Sequence, residues 1–512
     1  MYLVTTLLLV FLSESCECAR ILGVIPTPSY SHQVVFQPLW KELSLRGHQV
    51  TVLTTNTIND PTLTNLTEID LSFSYKFLEE NLVEIINSSQ SILKVIDLTL
   101  SSFANVVDAQ LQHPKVEKLI RDPNEHFDLL IAEYSMAAIL YLSRRFNCPY
   151  IGVLSMELNN AMYSLVGAPG HPIVYPDPFL QIYGKPNLFQ RIYLVLMELS
   201  YNFVNIPGYQ EKVAKKHFGY DTPIQAVIEN ASLLFINTDP IFHPVRPLPP
   251  NVIPIGGNVA RIPVKPLQEG LKNFLDEAVD GFIYFSLGSN VKSKDIPTHT
   301  MEVILETFKE LPYKVLWKYE LNDLPNKPGN VIISKWVSQM EVLNHLNLKL
   351  FITHGGAQSM EEAILARVPI VGMPFFVDQP FNVQKMVHMG FALSVDYREM
   401  TKEEFKGAIL EVISNDKYRN RIREYATLVD DQPMTGLERA VWWTEYVIRH
   451  KGAGHFRSPS LDMPWYQYHF WDVITVLFLV SSLLVIVMVV ITKCVLSILS
   501  RVLLGYFKKK KQ

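Results

Sequence analysis

Short apolar segments alternate with amphipathic segments along most of this chain, and this alternation constrains its fold more than any other feature. The first series begins with an apolar segment at residues 21–25, and the helical spacing that follows it ends at Gly47. Its later apolar segments cover residues 49–54, 127–132 and 149–154. The second series covers residues 281–286, 314–317, 330–333, 350–353 and 368–371. Strands that alternate with helices form parallel sheets with right-handed crossovers, so we expect an α/β fold of two doubly wound domains that face a cleft.

A proline-rich segment separates the two series. It runs from Pro240 to Pro254, and this composition predicts a linker at residues 241–256. An N-terminal domain at residues 20–240 and a C-terminal domain at residues 257–471 would flank it. A chain of 512 residues is long enough for two domains. The net charge of -4 gives no basic surplus, which argues against a nucleic-acid partner.

Both ends of the chain carry apolar segments. Residues 1–19 have a short apolar core followed by small residues, which is typical of a cleaved secretory signal, although a buried element would also fit. Residues 473–491 contain no charge and are long enough to cross a bilayer, so we predict a transmembrane helix at residues 472–492. Basic residues follow it. This charge predicts a cytoplasmic tail at residues 493–512 and a single-pass type I topology with the domains in the lumen.

Short signals near the end and along the chain indicate the compartment. Lys509 and Lys510 stand four and three positions from the last residue, as in dilysine retrieval signals of the endoplasmic reticulum membrane. The alternative is that this run of lysines only stops translocation electrostatically, which any lysine run would do. Asn65, Asn87 and Asn230 each begin a glycosylation triplet. We therefore expect a glycoprotein of the endoplasmic reticulum membrane.

A glycine turn in the second series predicts an anion site. An apolar strand ends at Thr353, the residues His354, Gly355 and Gly356 follow, and a helix is expected to begin near Ser359. The free N–H groups and the dipole of a helix N-terminus bind phosphates, and His354 would add a donor. Ligands of open α/β sheets lie at the carboxyl ends of strands, which is where this turn falls. A histidine and two glycines alone would more often be a structural turn.

The residues around this turn form an ordered set that is far more specific than the turn itself. The set contains Trp336, Gln339, residues 351–356, Gln358, Ser359, Glu361, Glu362, Pro369, Pro374, Asp378 and Gln379. It resembles the signature of the UDP-glycosyltransferase family. The insect branch looks closest, from residues 31–37, 46–48 and 461–468. The resemblance covers nearly the whole chain and implies a GT-B type fold with two Rossmann-like domains.

The resemblance also implies a role for each residue of a donor site. Trp336 and Gln339 should contact the uracil ring, and Glu362 should accept hydrogen bonds from the ribose. The diphosphate should be surrounded by Ser289, His354, Gly356, Gln358 and Ser359. Asp378 and Gln379 should bind the hydroxyls of the sugar. Ser338 stands where the family usually has proline, and Gln358 stands where it commonly has asparagine. Ordinary packing for Trp336 and a solvated helix face for Glu362 are the alternatives.

A histidine near the end of the first strand is the candidate general base. The resemblance places the catalytic histidine at His32, at the start of a helix whose dipole keeps an imidazole neutral. A capping or surface histidine is the commoner outcome for such a position without the motif. The partner carboxylate should follow the strand at residues 127–132, where the family's aspartate is replaced by Glu133. Glu133 would orient the imidazole and stabilise its charged form.

No Asp-x-Asp pair occurs in the chain. Glycosyltransferases that hold the diphosphate through a divalent metal commonly carry this pair, so we predict no metal and no cofactor. The UDP-sugar is then a co-substrate. The insect resemblance favours UDP-glucose, whereas vertebrate relatives often use UDP-glucuronate.

The expected function is the inverting transfer of a hexose from a UDP-sugar to the hydroxyl of a small lipophilic acceptor, which gives a β-glycoside. Four alternatives stay open: glucuronosyl transfer, a UDP-sugar-binding protein with impaired catalysis, a metal-dependent transferase, and a dinucleotide oxidoreductase. A dinucleotide oxidoreductase would be expected to carry a Gly-x-Gly-x-x-Gly motif after the first strand, and this sequence has none there. Residues 60–110 and 160–210 would shape the acceptor site. The chain would act as a monomer or a homo-oligomer.

Overall fold

The first series of strands forms a parallel sheet in the computed structural model, which describes residues 18–77, 92–201, 208–257 and 266–509. In these residues the sheet has seven strands, in the order β3-β2-β1-β4-β5-β6-β7. They are β1 (Arg20–Ile25), β2 (Gln49–Thr54), β3 (Leu66–Asp70), β4 (Leu129–Glu133), β5 (Tyr150–Leu154), β6 (Leu233–Ile236) and β7 (Val252–Pro254). The strand order reverses between β1 and β4. A doubly wound sheet opens a crevice at this point, beyond the carboxyl ends of its strands.

Helices connect the strands of this first sheet. They are α1 (Tyr30–Val34), α2 (Gln37–Leu45), α3 (Ile92–Leu111), α4 (Pro114–Arg121), α5 (Tyr141–Phe146), α6 (Asn160–Leu165), α7 (Leu188–Tyr201), α8 (Gly208–Phe218) and α9 (Ile224–Ile228). Every residue of β4, β5 and β6 is buried, because helices cover both faces of the sheet.

The second series forms another parallel sheet, with six strands among the described residues in the order β10-β9-β8-β11-β12-β13. They are β8 (Phe282–Ser286), β9 (Lys314–Lys318), β10 (Val331–Ser334), β11 (Leu348–Thr353), β12 (Ile370–Gly372) and β13 (Ala392–Ser394). Its order reverses between β8 and β11. The two sheets therefore confirm the expected α/β architecture of two doubly wound halves.

The helices of the second half follow the same plan. They are α10 (Glu269–Asp276), α11 (Thr298–Glu310), α12 (Gln339–Leu343), α13 (Ala357–Leu365), α14 (Gln379–Met389), α15 (Lys402–Ser414), α16 (Asp416–Asp430) and α17 (Gly436–His450). Aromatic side chains fill the layer between β8, β9 and α11. The ring of Phe285 lies 4.8 Å from that of Trp317, and Phe308 lies 5.8 Å from the same indole. This packing fixes the strand ends that carry the candidate site.

The structure differs from the sequence-based boundaries in two places. The segment expected to be a linker contains β7, which pairs with β6 at the edge of the first sheet, where a proline is tolerated. Helix α17 returns to the first sheet. Its Ala440 and Val441 share a core with Leu39 and Trp40 of α2. The amphipathic pattern of a helix shows which face is buried, but it does not show which sheet covers that face.

Residues from Ser458 onward form a second compact unit. It contains α18 (Trp465–Tyr468) and the long helix α19 (Trp471–Lys509). Residues 471–506 of α19 are long and apolar enough to cross a membrane, and the expected span at residues 472–492 lies within them. The helix continues through most of the segment expected to be a cytoplasmic tail, because few of its residues disfavour helix. Residues 1–17 of the signal expected at residues 1–19, the triplet at Asn87 and Lys510 lie outside the described residues.

Candidate active site between the two sheets

The first half of the site lies where the strand order of the first sheet reverses. His32 belongs to α1, just after β1, and Glu133 is the last residue of the neighbouring strand β4. The Nδ1 atom of His32 lies 2.8 Å from Oε1 of Glu133. The side chain of Glu133 is 1% exposed, whereas that of His32 is 17% exposed. The structure therefore brings together the two side chains that the sequence analysis names as base and partner.

The Glu133 carboxylate is held by the loop that leads to His32. The backbone N–H of Thr27 donates to Oε2 at 3.1 Å, and its hydroxyl donates to Oε1 at 2.8 Å. Gln33 fixes the same loop, because its amide donates to the carbonyls of Ile25 and Thr27 at 2.8 Å each. A carboxylate at Nδ1 selects the tautomer in which Nδ1 carries the proton. The Nε2 atom of His32 is then left as the proton acceptor.

The second half of the site lies at the corresponding reversal in the second sheet. Strand β11 ends at Thr353, Gly355 adopts a φ of +83°, and α13 begins at Ala357 with Gly356 as its N-cap. The helix starts two residues earlier than the sequence predicts, so Ser359 lies in its first turn. The N–H groups of this turn point out of the helix end and are available to an anion.

The imidazole of His354 fits between two glycine turns. A Cβ on Gly356 would lie 2.6 Å from its Nε2, and a Cβ on Gly288 would lie 2.5 Å from its Cε1. Gly288 belongs to the turn that follows β8, and Ser289 is the next residue of that turn. Burial, together with a smaller effect of the nearby cation of Lys318, lowers the pKa of His354 to about 4. The ring is therefore neutral near pH 7 and acts as a hydrogen-bond donor or acceptor.

Lys318 is a site residue that the sequence analysis missed. It is the last residue of β9, it is buried, and its Nζ donates to the carbonyl of Gly288 and to Glu320 at 2.8 Å each. A buried cation beside the turn that is expected to bind the diphosphate favours negative charge there, and Glu320 already supplies part of that charge. In the sequence, Lys318 is a lysine at the end of an otherwise apolar strand. Such lysines are usually solvated, so this pattern does not indicate a functional residue.

Three of the residues expected to bind the nucleotide are joined by hydrogen bonds. The amide of Gln339 donates to Ser359 Oγ at 3.1 Å and makes a short hydrogen bond to Glu362 Oε2. Its Oε1 accepts from the hydroxyl of Tyr284 at 3.2 Å. Burial raises the pKa of Glu362 to about 7, although the Gln339 hydrogen bond opposes the shift. Trp336 is 55% exposed, so its indole is accessible to a planar base.

The two residues expected to bind the sugar begin α14. Asp378 is the N-cap, and its Oδ2 accepts from Asn382 at 2.7 Å. The Oε1 atom of Gln379 accepts from the backbone N–H groups of Phe375 and Phe376 at 2.9 and 3.2 Å, which leaves its amide nitrogen for a ligand. Burial raises the pKa of Asp378, and the hydrogen bond from Asn382 and the cation of Lys385 oppose this shift. A positive charge on His32 would oppose it too, so His32 of the first half lies within electrostatic range of Asp378 of the second.

Direct contacts join the two halves of the site. The hydroxyl of Ser29 donates to Asn290 Oδ1 at 3.2 Å, and the ring of Tyr30 lies 4.8 Å from that of Trp336. The loop that carries His32 is therefore in direct contact with the turn after β8, whose Gly288 packs against His354.

Gln358 makes a contact that the sequence analysis did not predict. Its amide donates to the carbonyl of Ser155, just after β5 in the first half, at 2.8 Å. The side chain thus connects the two halves, and its expected phosphate contact stays a prediction. The physical reason for this connection is the length of the side chain, because a glutamine extends one methylene further than the asparagine common at this position and reaches the facing strand end.

Comparison with known proteins agrees with this geometry. A family model described as UDP-glucoronosyl and UDP-glucosyl transferase matches residues 20–511. UDP-glucosyltransferase 2 of Dactylopius coccus is 35% identical and covers 93% of this chain and 92% of its own. The ecdysteroid UDP-glucosyltransferase of Spodoptera littoralis nuclear polyhedrosis virus is 33% identical, with 90% and 94% covered. The UDP-glucuronosyltransferase 2B7 of Homo sapiens is 28% identical, with 95% and 94% covered.

A solved structure described as the glycotransferase of kitacinnamycin shares the fold. Its TM-score is 0.54 at 16% identity, and the match covers 84% of this chain and 97% of the other. This similarity supports the two-domain GT-B architecture that the two sheets display. Together with the family match over nearly the whole chain, it identifies the protein as a glycosyltransferase enzyme. The chain belongs to the UDP-glucoronosyl and UDP-glucosyl transferase family.

Proposed function

We propose that this enzyme transfers glucose from UDP-glucose to the hydroxyl of a small lipophilic acceptor, with inversion at the anomeric carbon. The observation that carries the proposal is the hydrogen-bonded His32–Glu133 pair, on a loop whose Ser29 contacts Asn290 in the turn beside His354. A base on one wall and an anion-binding turn on the other are the two requirements of transfer from a nucleotide sugar.

The reaction uses these groups in one displacement. The Nε2 atom of His32 takes the proton of the acceptor hydroxyl while the oxygen attacks the anomeric carbon from the face opposite the diphosphate. The new carbon–oxygen bond forms as the bond to the β-phosphate oxygen breaks, so an α-linked donor gives a β-glycoside and UDP. Glu133 stabilises the imidazolium that results. The negative charge that develops on UDP is met by the N-terminus of α13, by His354 and by Lys318.

The charges near Asp378 favour a neutral sugar over a sugar acid. Lys385 is a buried cation in α14, and the charges of Glu157 and Asp378 act on it, whereas burial raises the pKa of Glu361 to about 8 and keeps it mostly uncharged near pH 7. Arg246 lies 3.5 Å from Glu157, so two cations meet two carboxylates and no surplus positive charge is left for the carboxylate of a glucuronate. Glucuronosyl transfer is the alternative donor preference, and its support is the human relative.

The lipophilic character of the acceptor is supported by the segment at residues 160–201. Tyr183 packs edge-on against Phe381, three residues after Asp378, with ring centroids 5.3 Å apart. This contact lies next to the sugar end of the donor site. Helix α7 in the same segment exposes large apolar side chains, among them Phe189 and Leu196. Apolar surface of this kind binds apolar compounds better than charged ones.

We also propose that the enzyme is a single-pass protein of the endoplasmic reticulum membrane, with both sheets in the lumen. The support is the candidate span in α19 and the exposure of Asn65 and Asn230, which makes both triplets accessible to glycosylation. An electrophoretic shift of the microsomal protein on treatment with endoglycosidase H tests this placement. A protein without any shift, both in mammalian and in insect microsomes, would contradict a lumenal placement of the sheets.

The central experiment is a microsomal assay with a panel of phenolic acceptors and with UDP-glucose or UDP-glucuronate. His32→Ala should lower kcat by about 10²–10⁴-fold, the range that a general base contributes. His126→Ala is the matched control, since His126 is exposed and lies just before β4, at the amino ends of the strands. Full activity of His32→Ala would refute the assigned base. UDP binding by the wild type without turnover on any acceptor would favour the impaired binding protein.

A further inference from the structure

The loop that carries the candidate base also reaches the nucleoside side of the donor site. The ring of Tyr30, two residues before His32, meets the ring of Trp336 edge-on, with centroids 4.8 Å apart and planes at 83°. Ser29 of the same loop donates to Asn290 at 3.2 Å. These contacts connect two sheets whose strands are far apart in sequence. One falls on Trp336, the expected uracil contact, and the other on Asn290, next to the expected diphosphate contact Ser289.

The hydroxyl of Tyr30 lies within electrostatic range of Glu362, the expected ribose contact. The side chain is partly buried, and burial raises the pKa of its hydroxyl. The carboxylate of Glu362 raises this pKa further, which requires the two groups to be near each other. One tyrosine of the first half thus contacts Trp336 and approaches Glu362, which belong to two separate elements of the second half.

We propose that Tyr30 is a nucleotide-positioning residue, contributed by the first half of the molecule to the uridine site of the second. Its ring braces the indole of Trp336 in the orientation on which a uracil ring stacks. This inference rests on the proposed function, because it takes the donor to be a uridine nucleotide. The loop from Thr27 to His32 then connects the nucleoside contact to the base.

Removing an edge-to-face ring pair should change the dissociation constant of the nucleotide enough to be measured. Such pairs contribute about 0.5–1.5 kcal/mol beyond their buried area, which corresponds to a change of about two- to tenfold in a dissociation constant. Trp336 is 55% exposed, so without Tyr30 its indole would have fewer contacts to restrict its orientation. The loss of affinity should therefore concern the nucleotide part of the donor and should be the same whichever sugar or acceptor is used.

The experiment uses the full-length protein in detergent and measures the dissociation constant of UDP by calorimetry and the KM for UDP-glucose. Tyr30→Ala should weaken UDP binding by about five- to tenfold and raise the KM in parallel, with a smaller change in kcat. Tyr30→Phe keeps the ring and should restore UDP binding to within about twofold of the wild type. Tyr220→Ala is the control, since Tyr220 stacks on Phe218 and Tyr141 in the first half and touches none of the donor residues.

A double variant distinguishes an effect of Tyr30 on the orientation of Trp336 from a general loss of structural order. Trp336→Ala combined with Tyr30→Ala should bind UDP no more weakly than Trp336→Ala alone, because the ring pair is already absent. Unchanged or tighter UDP binding by Tyr30→Ala would overturn the inference, as would fully additive losses in the double variant. These results are distinct from a failure of the proposed function, in which the wild type itself would bind no UDP or transfer no sugar.

Discussion

His32 Nδ1 and Glu133 Oε1 lie 2.8 Å apart, although 101 positions separate the two residues in the chain. They meet because β1 and β4 are neighbours in the first sheet, at the reversal of its strand order. The carboxylate is fully buried and already accepts two hydrogen bonds from Thr27. The pair is therefore placed by the sheet and the loop together.

Glu133→Gln keeps the shape of this carboxylate and removes its charge. The imidazolium formed during transfer then lacks its counter-ion, so we expect kcat to fall by about 10²–10⁴-fold while the dissociation constant of UDP stays the same. Single-turnover kinetics with UDP-glucose and calorimetry with UDP measure the two quantities. Activity close to that of the wild type would show that Glu133 only supports the fold.

Gly288→Ala tests the turn that holds His354. The added Cβ would lie 2.5 Å from His354 Cε1, and the φ of Gly288 is +75°, which an alanine rarely adopts. We expect the dissociation constant of UDP to rise by about ten- to a hundredfold, since such strain costs about 1–3 kcal/mol or displaces the ring. Gly329→Ala is the matched control, because a Cβ there meets nothing within 4 Å and its φ is not positive. Equal UDP binding by the two variants would contradict this account.

Removal of divalent metals should leave the activity unchanged. The N-terminus of α13, His354 and Lys318 are the groups proposed to meet the charge of the diphosphate. We expect kcat and KM to stay within about twofold after dialysis against a chelator, given that these groups supply the stabilisation. Loss of activity that returns on addition of Mg²⁺ or Mn²⁺ would show that a metal takes part.

Glu361 should make the stability of the protein depend on pH. This carboxyl group is fully buried in α13, and burial raises its pKa from 4.5 to about 8, with Asp239 and Glu362 adding to the shift. The protonated form is favoured in the folded state. Its contribution to stability is therefore complete below about pH 4.5 and is lost as the pH rises towards about 8.

Glu361→Gln removes this ionisation and nearly preserves the side-chain volume. We expect the Tm of the variant relative to that of the wild type to be higher at pH 8 than at pH 5, because only the wild type must ionise a buried group. Thermal unfolding of both full-length proteins at the two pH values measures the difference. A Tm difference that does not change with pH would contradict the prediction.

The sequence alone determined the two alternating series and the glycine turn after an apolar strand, and it named the residues expected to bind the donor. These features are local, since strand and helix periods and the free N–H groups of a helix end depend on residues close together in the chain. The ordered signature around His354 indicated the family, and the resemblance to this family gave the positions of the candidate base His32 and its partner Glu133.

Only the tertiary structure decided which distant segments meet. It placed α17 on the first sheet, directed Gln358 to Ser155, brought Lys318 to Gly288 and packed Tyr30 on Trp336. None of these contacts follows from a local pattern, because a pattern shows that a side chain is buried but not what covers it. The partner depends on strand order, on the approach of the two halves and on the length of each side chain, which are set only when the whole chain has folded.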